Sequence, residues 1–244
     1  MNIKRNICIV IPCFKVGKEI KKVLNKINYK LIDKVFLVDD ACPENSGLIA
    51  KSLKLKKVEV IFSKKNLGVG GATMLGFKKA LKKNYDIIFK IDGDGQHDPT
   101  DVSKFLKVFQ NNKFNFCKGT RFGDKINKKK IPKVRLFGNV LLTYMSRITC
   151  ANYEITDVVN GFLCIRAKLL RKLNFKKISN DFFFEEDLLF NISFFEKNIK
   201  EVNIKTIYNN KSTLSPIKTI LPFLLKHFRN YIFKIMFKHE KDRN

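Results

Sequence analysis

Residues 86–99 read Asp86-Ile87-Ile88-Phe89-Lys90-Ile91-Asp92-Gly93-Asp94-Gly95-Gln96-His97-Asp98-Pro99. A short apolar run at 86–91 ends in two aspartates separated by one glycine, the pattern of a strand that leaves a sheet and delivers carboxylates at its end. The same pattern recurs upstream. Residues 7–11 are β-branched and apolar on both faces and are expected to form a buried strand that stops at Pro12. Residues 34–38 form a second strand ending in Asp39-Asp40, and 58–62 a third. Helical stripes fall between them at 18–27 and 47–55, and a glycine-rich turn at 66–71 opens a helix through 82. Strand and helix alternating in this rhythm predict an α/β protein, a mostly parallel sheet with helices on both faces. In such sheets ligands sit beyond the carboxyl ends of the strands, where these aspartates lie.

Downstream, a helix is expected at 101–110, a strand at 115–117 leading into Lys118-Gly119-Thr120-Arg121, a lysine-rich loop at 125–133 and a helix at 134–149. A strand at 159–165, a helix at 183–197 and a short strand at 201–207 follow, with a polar segment at 209–215. With 244 residues and no internal repeat, 1–215 reads as one catalytic-sized domain and 216–244 as a basic amphipathic tail.

The chain has 49 basic against 22 acidic residues, a net charge of +27, and 45% hydrophobic residues, enough apolar content to exclude wholesale disorder. Of the basic residues 41 are lysine and 8 arginine. Nucleic-acid readers rely on the planar guanidinium for bidentate contacts, so nucleic acid is not the partner this balance points to. Anionic lipid and phosphorylated substrates respond to the same field. The six cysteines form no CxxC pair, which predicts reduced thiols in a cytosolic setting rather than zinc or disulfides. The opening apolar run is too short for a signal peptide, and no stretch reaches the ~18 apolar residues of a spanning helix, so any membrane contact is expected to be peripheral.

Two carboxylates one residue apart, Asp92 and Asp94, can share one hard cation, Mg²⁺ or Mn²⁺, that bridges to a diphosphate. Aspartates after a strand also cap helices, the alternative here. An EF-hand is excluded because the twelfth residue counted from Asp92 is Ser103, not glutamate. The 66–72 turn offers GxG but follows the third strand, not the first, so it matches no dinucleotide fingerprint; its glycines either face a nucleotide or permit close packing. Arg121 is placed to meet phosphate, and Arg135 and Asn139 share a helix face four residues apart. Glu185 and Asp187 open an apolar helix, where they complement its dipole or serve as a general base. His97, His227 and His239 are too scattered for a zinc site.

Val10-Ile11-Pro12-Cys13-Phe14, Val38-Asp39-Asp40, Asn66-Leu67-Gly68-Val69-Gly70, the 92–99 stretch, Gly119-Thr120-Arg121 and Arg135-Leu136-Phe137-Gly138-Asn139 occur in the order seen in family 2 glycosyltransferases. The chain most resembles the branch of dolichyl- and polyprenyl-phosphate sugar synthases. The resemblance implies a GT-A fold, Rossmann-like, and inverting transfer of a sugar from a UDP- or GDP-linked donor to a lipid phosphate or glycan in cell-envelope synthesis. It implies that Pro12, Asp39, Asp40 and Gly68 line the nucleoside side, that Asp92, Asp94 and Gln96 hold the metal and diphosphate, and that Arg121 and Arg135 meet phosphates. Asp157 with Asn160-Gly161-Phe162 resembles the acceptor-side segment, and 184–189 the later acidic motif.

In the tail, Leu224, Phe228, Tyr231, Ile232, Ile235 and Met236 share a helical face, with Lys226, Arg229, Lys234 and Lys238 largely opposite. This helix either lies on anionic lipid at the inner face of the membrane or packs its apolar stripe on the domain. The rival functions are a sugar nucleotidyltransferase, which would carry a glycine-rich loop over a triphosphate near the N-terminus, and a non-enzymatic basic module.

Overall fold

The computed structural model describes residues 6–110, 112–123, 133–150, 154–205, 207 and 216–241. Among them, seven strands form one sheet in the order β3-β2-β1-β4-β6-β5-β7. The strands are β1 (Ile7–Cys13), β2 (Lys34–Asp39), β3 (Val58–Phe62), β4 (Ile87–Lys90), β5 (Phe116–Thr120), β6 (Leu163–Arg166) and β7 (Ile199–Asn203). All pairings are parallel except those of β6, which runs antiparallel to both β4 and β5. The helices are α1 (Gly17–Lys26), α2 (Ser46–Ser52), α3 (Gly68–Lys82), α4 (Val102–Gln110), α5 (Lys133–Cys150), α6 (Ala167–Leu170), α7 (Phe184–Ile192) and α8 (Pro216–Lys241).

The period-two alternation of β1 decides both cores. Cys8 and Val10 join Phe36, Phe77, Ile88 and Phe184 on the α3 and α7 side. Ile9, Ile11 and Cys13 join Ile20, Leu24, Phe89 and Phe105 on the α1 and α4 side. Because both faces are covered, the central strands are apolar throughout, and this is why they read as uninterrupted runs.

Several expected boundaries shift, among them three that bear on the site. β1 does not stop at Pro12: it continues to Cys13, because the ladder to β4 ends at Val10–Lys90 and only β2 pairs further on. A proline beyond the last pair leaves no donor missing. The strand expected at 159–165 starts only at Leu163, since Asn160 turns the chain by accepting the Phe162 amide. The helix expected to reach 197 ends at Ile192. The lysine-rich loop at 125–133 lies, but for Lys133, outside the described residues, as does the segment 209–215.

Helix α3 approaches β1 through Gly76, where an added Cβ would overlap the Val10 side chain. Gly76→Val is therefore expected to cost about 1–3 kcal/mol by overpacking, read as a lower urea midpoint. Gly138→Ala, whose methyl meets open space on α5, is expected to leave the midpoint unchanged or higher.

Candidate active site

The carboxyl ends of β1, β2 and β4 converge. Cys13, the last residue of β1, is buried, and burial first, then the charges of Asp39, Asp92 and Asp94 among others, pushes its thiol far up. Its Sγ lies 3.0 Å from where a Cβ on Gly93 would stand, so the glycine between the two aspartates is needed for the loop to pass over β1. Gly95 holds φ +74, the left-handed turn that brings Gln96 back so that its amide donates to Asp94 Oδ1 at 3.0 Å. Asp94 is raised to about 6, by burial and then by Asp92. Helix capping, the alternative for these aspartates, falls instead to Asp98, whose Oδ1 accepts from the Thr100 amide at 3.1 Å and hydroxyl at 2.8 Å.

Asp39 and Asp40 are held by backbone amides. Asp39 accepts from Cys42 at 2.8 Å and Gly47 at 2.6 Å, fixing the turn into α2. Asp40 accepts from Leu67 at 2.7 Å and so ties β2 to the glycine-rich turn, while burial raises its pKa. Gly68, at φ +79, packs on the carbonyl of Asn180, which also accepts from the Gly70 amide at 2.8 Å. These glycines serve close packing against the 179–181 loop. Pro12 is buried at the end of β1.

Behind Asp92 lies a charge chain that sequence reading did not anticipate. Lys90, fully buried, donates to Glu185 at 2.7 Å and pairs with Asp92 at 2.6 Å. Burial would lower its pKa, but the two carboxylates outweigh it and hold the ammonium charged well above its ordinary range. Asp92 is lowered despite burial, by Lys90 and then His97. His97 stacks near Phe162, with ring centroids 5.5 Å apart, and burial drops it to about 4, so it is neutral at pH 7. A second buried lysine, Lys118 on β5, donates to the Asn160 carbonyl. The available signal was a lysine inside each of two otherwise apolar strands, a placement that demands a partner.

Arg121, past the end of β5, makes a bidentate pair with buried Asp157, Nε and Nη2 each 2.7 Å from a carboxylate oxygen. Asp157 also accepts from the Arg121 amide at 3.0 Å, Asn139 on α5 at 2.8 Å and Asn160 at 3.3 Å. The Arg135 side chain lies outside the described residues.

The acidic motif splits. Glu185 belongs to the Lys90 chain. Glu186 is buried, neither oxygen has a hydrogen-bond partner, and burial followed by the charge of Glu185 pushes its pKa far up. Asp187 is directed away from Lys90: it accepts from the Ser179 amide at 3.0 Å and hydroxyl at 2.5 Å, and from Arg229 and Asn230 of α8 at 2.9 and 2.8 Å. Both oxygens of Asp187, expected as a possible general base, are thus engaged, by Ser179 of the 179–181 loop and by Arg229 and Asn230 of α8.

Helix α8 packs along α5 and buries Phe223, His227 and Asn230. Its basic residues turn inward: Lys226 pairs with Asp181 at 2.6 Å and Lys234 donates to the Thr149 carbonyl at 2.8 Å. Of the apolar stripe expected to pack on the domain or on lipid, Phe228, Tyr231, Ile232, Ile235 and Met236 are exposed, and so is Leu225 outside that stripe. Leu224 is half-buried, and the side chain of Lys238 lies outside the described residues. A parallel row on α5, Phe137, Val140, Tyr144 and Ile148, is exposed as well, Phe137 to 69%.

The sheet thus carries carboxylates at the ends of its parallel strands and one antiparallel strand, β6, inserted beside them. The sequence matches the family described as Glycosyl transferase family 2 over residues 8–174, and the chain belongs to that family and is a glycosyltransferase. Nucleotidyl transfer and a non-enzymatic basic module are thereby set aside. The chain is 29% identical over 231 residues to the UDP-N-acetylglucosamine–dolichyl-phosphate N-acetylglucosaminyltransferase of Methanococcus voltae, covering 89% of this chain and 92% of that protein. It is 25% identical over 202 residues to the undecaprenyl-phosphate mannosyltransferase of Micrococcus luteus, covering 80% and 81%. Glucosyl-3-phosphoglycerate synthase from Mycobacterium tuberculosis, solved with Mn²⁺, UDP and phosphoglyceric acid, superposes with TM-score 0.69 at 16% identity over 92% of this chain and 78% of that one. The fold is GT-A.

Asp157 is held at about 2 because the charge of Arg121, then its hydrogen bonds and that of Asn139, overcome burial. A carboxylate lowered from 3.8 on folding adds stability that is complete above pH 4 and lost as pH falls through about 2. That contribution is about 2 kcal/mol. Unfolding followed in urea from pH 5 to pH 2 is expected to fall less steeply for Asp157→Asn than for the wild type.

Proposed function

We propose that the protein transfers a sugar, with inversion, from a nucleoside diphosphate donor to a polyprenyl phosphate at the surface of an anionic membrane. One observation carries this reading: the Arg121–Asp157–Asn139 node ties α5, which bears an outward apolar row, to the surroundings of His97, whose ring lies 3.6 Å from Asp92 and feels the charges of both Arg121 and Asp157. A site where a phosphate-binding arginine borders an exposed apolar surface suits a ligand with a phosphate head and a hydrocarbon chain.

The donor set fits a divalent cation. Asp92 and Asp94 repel one another strongly enough to raise Asp94, a repulsion that a cation between them relieves. Among the described residues no group of three or more His, Cys, Asp or Glu gathers at one point, so the protein offers two carboxylates, with Gln96 beside them, and leaves positions for phosphate oxygens. Mg²⁺ or Mn²⁺ held there supplies positive charge to the leaving diphosphate. Arg121 adds a guanidinium whose orientation Asp157 fixes. Pro12, Asp40 and Gly68 border the nucleoside side of the cleft, and Arg135 is the second candidate phosphate contact.

The state of the acids favours a phosphate acceptor over a hydroxyl. A hydroxyl nucleophile needs a general base, yet Glu185 is paired with Lys90 and Asp187 is committed to α8. A phosphate monoester is already an oxyanion and needs none. The M. voltae and M. luteus relatives are named for dolichyl and undecaprenyl phosphate acceptors. Among the described residues no helix is long and apolar enough to cross a membrane, and contact through the outward rows of α5 and α8 is peripheral in this reading.

Two measurements test it. With UDP-N-acetylglucosamine or GDP-mannose, Mn²⁺ and a short polyprenyl phosphate, the expected product is the sugar phosphodiester of the lipid, and Asp94→Asn is expected to lower kcat by about 10² or more. Transfer to a free saccharide hydroxyl but not to the lipid phosphate overturns the acceptor. In flotation with phosphatidylglycerol vesicles, Leu225→Asp/Phe228→Asp is expected to weaken binding about tenfold or more, with the fold intact by circular dichroism.

A further inference from the structure

The chain Glu185–Lys90–Asp92 is graded in exposure. The side chains of Lys90 and Glu185 are 1% and 8% exposed, whereas that of Asp92 is 27% exposed. The chain therefore opens to the cleft only at Asp92, and that open carboxylate already carries an ammonium at 2.6 Å on Oδ1. Its second oxygen lies 3.6 Å from His97 Nδ1, a ring that is neutral at pH 7. Room for the pair is made by Gly161, where a Cβ would overlap both Asp92 Oδ2 and Lys90 Nζ. Breaking a buried pair is costly while keeping one is close to neutral for stability, so stability gives no reason to aim this one into a cleft.

We propose that Lys90 is a positioning residue and resident counter-ion of the donor site. It fixes Asp92 and offsets part of its charge, so that the protein alone binds a divalent cation weakly and takes it up together with the donor's diphosphate. This inference rests on the assignment of Asp92 and Asp94 to the metal–diphosphate. The placement of charge explains the ordering. Lys90 is shared between Asp92 and buried Glu185, so Asp92 and Asp94 present less than their two formal negative charges to a dication in the cleft, whereas a diphosphate brings at least two more. Glu185 is then not a base but the second anchor that holds Lys90 in register with Asp92. The arrangement withholds the metal site until the donor arrives.

The test is Mn²⁺ binding followed by the electron paramagnetic resonance of the free ion, with and without UDP or GDP. The variants are Lys90→Met, Lys90→Met/Glu185→Gln and Asp94→Asn. The double variant removes both buried charges at matched volume, so it leaves no unpaired Glu185 and is expected to fold where the single one does not. Expected for the wild type is weak Mn²⁺ binding alone, tightened on the order of tenfold or more by one nucleotide. Expected for the double variant is Mn²⁺ binding without nucleotide tightened by about tenfold and a reduced nucleotide effect. A wild type that binds Mn²⁺ equally well with and without nucleotide overturns the proposal. So does a folded double variant whose Mn²⁺ affinities match those of the wild type. A wild type that binds no Mn²⁺ with either nucleotide overturns the donor-site assignment itself, and the proposal with it.

Discussion

A lysine in the middle strand of a covered sheet has nowhere to send its charge except to carboxylates brought from elsewhere in the chain. Lys90 meets that constraint with Glu185, ninety-five residues away, and with Asp92 at the mouth of the cleft. The demand sets where helix α7 must begin and where the loop after β4 must turn. It also makes Gly161 obligatory, since a side chain there would stand in the space of the pair. Lys118 on β5, two strands away, and Arg121 just past the end of that strand are held in a similar way, by the Asn160 carbonyl and by Asp157. The site is thus held by ion pairs that thread the sheet, not by its loops alone.

Three consecutive acids at the start of α7 show how one helix turn can serve three regions. Glu185 reaches the sheet, Glu186 stays buried, and Asp187 receives Arg229 and Asn230 from α8. The loop just before them, 179–181, accepts the amides of Gly70 and Gly71 and pairs with Lys226. The glycine-rich turn, the end of β4 and the C-terminal helix therefore meet within about two turns of chain.

Much of this was legible in the sequence. The parallel sheet follows from apolar strands ending in polar residues, and the strand at Val58–Phe62 was placed to the residue. That Asp39, Asp40, Asp92 and Arg121 all stand along the same edge of the sheet follows from strand-end topology. What was not legible was pairing at long range. A general-base role for Asp187 was plausible from its place beside Glu185, but helix periodicity points the two side chains to different sides, and only the packing of α8 shows which partner each finds. Spacing placed an apolar stripe on the tail helix, yet spacing cannot say which face turns inward. Here the polar residues do, because Asp181, Asp187 and the Thr149 carbonyl need donors.

That inversion has a consequence for the protein in solution. Two neighbouring rows of apolar side chains, on α5 and α8, face water on a molecule whose formal charge is +27. At low ionic strength the like charge of two copies opposes their approach, and the apolar rows stay apart. Salt shortens the reach of that repulsion to about 8 Å near 0.15 M and about 3 Å at 1 M, while leaving apolar attraction intact. The chain should thus behave as a colloid held dispersed by its own field, clear in dilute buffer and prone to cluster as salt is added.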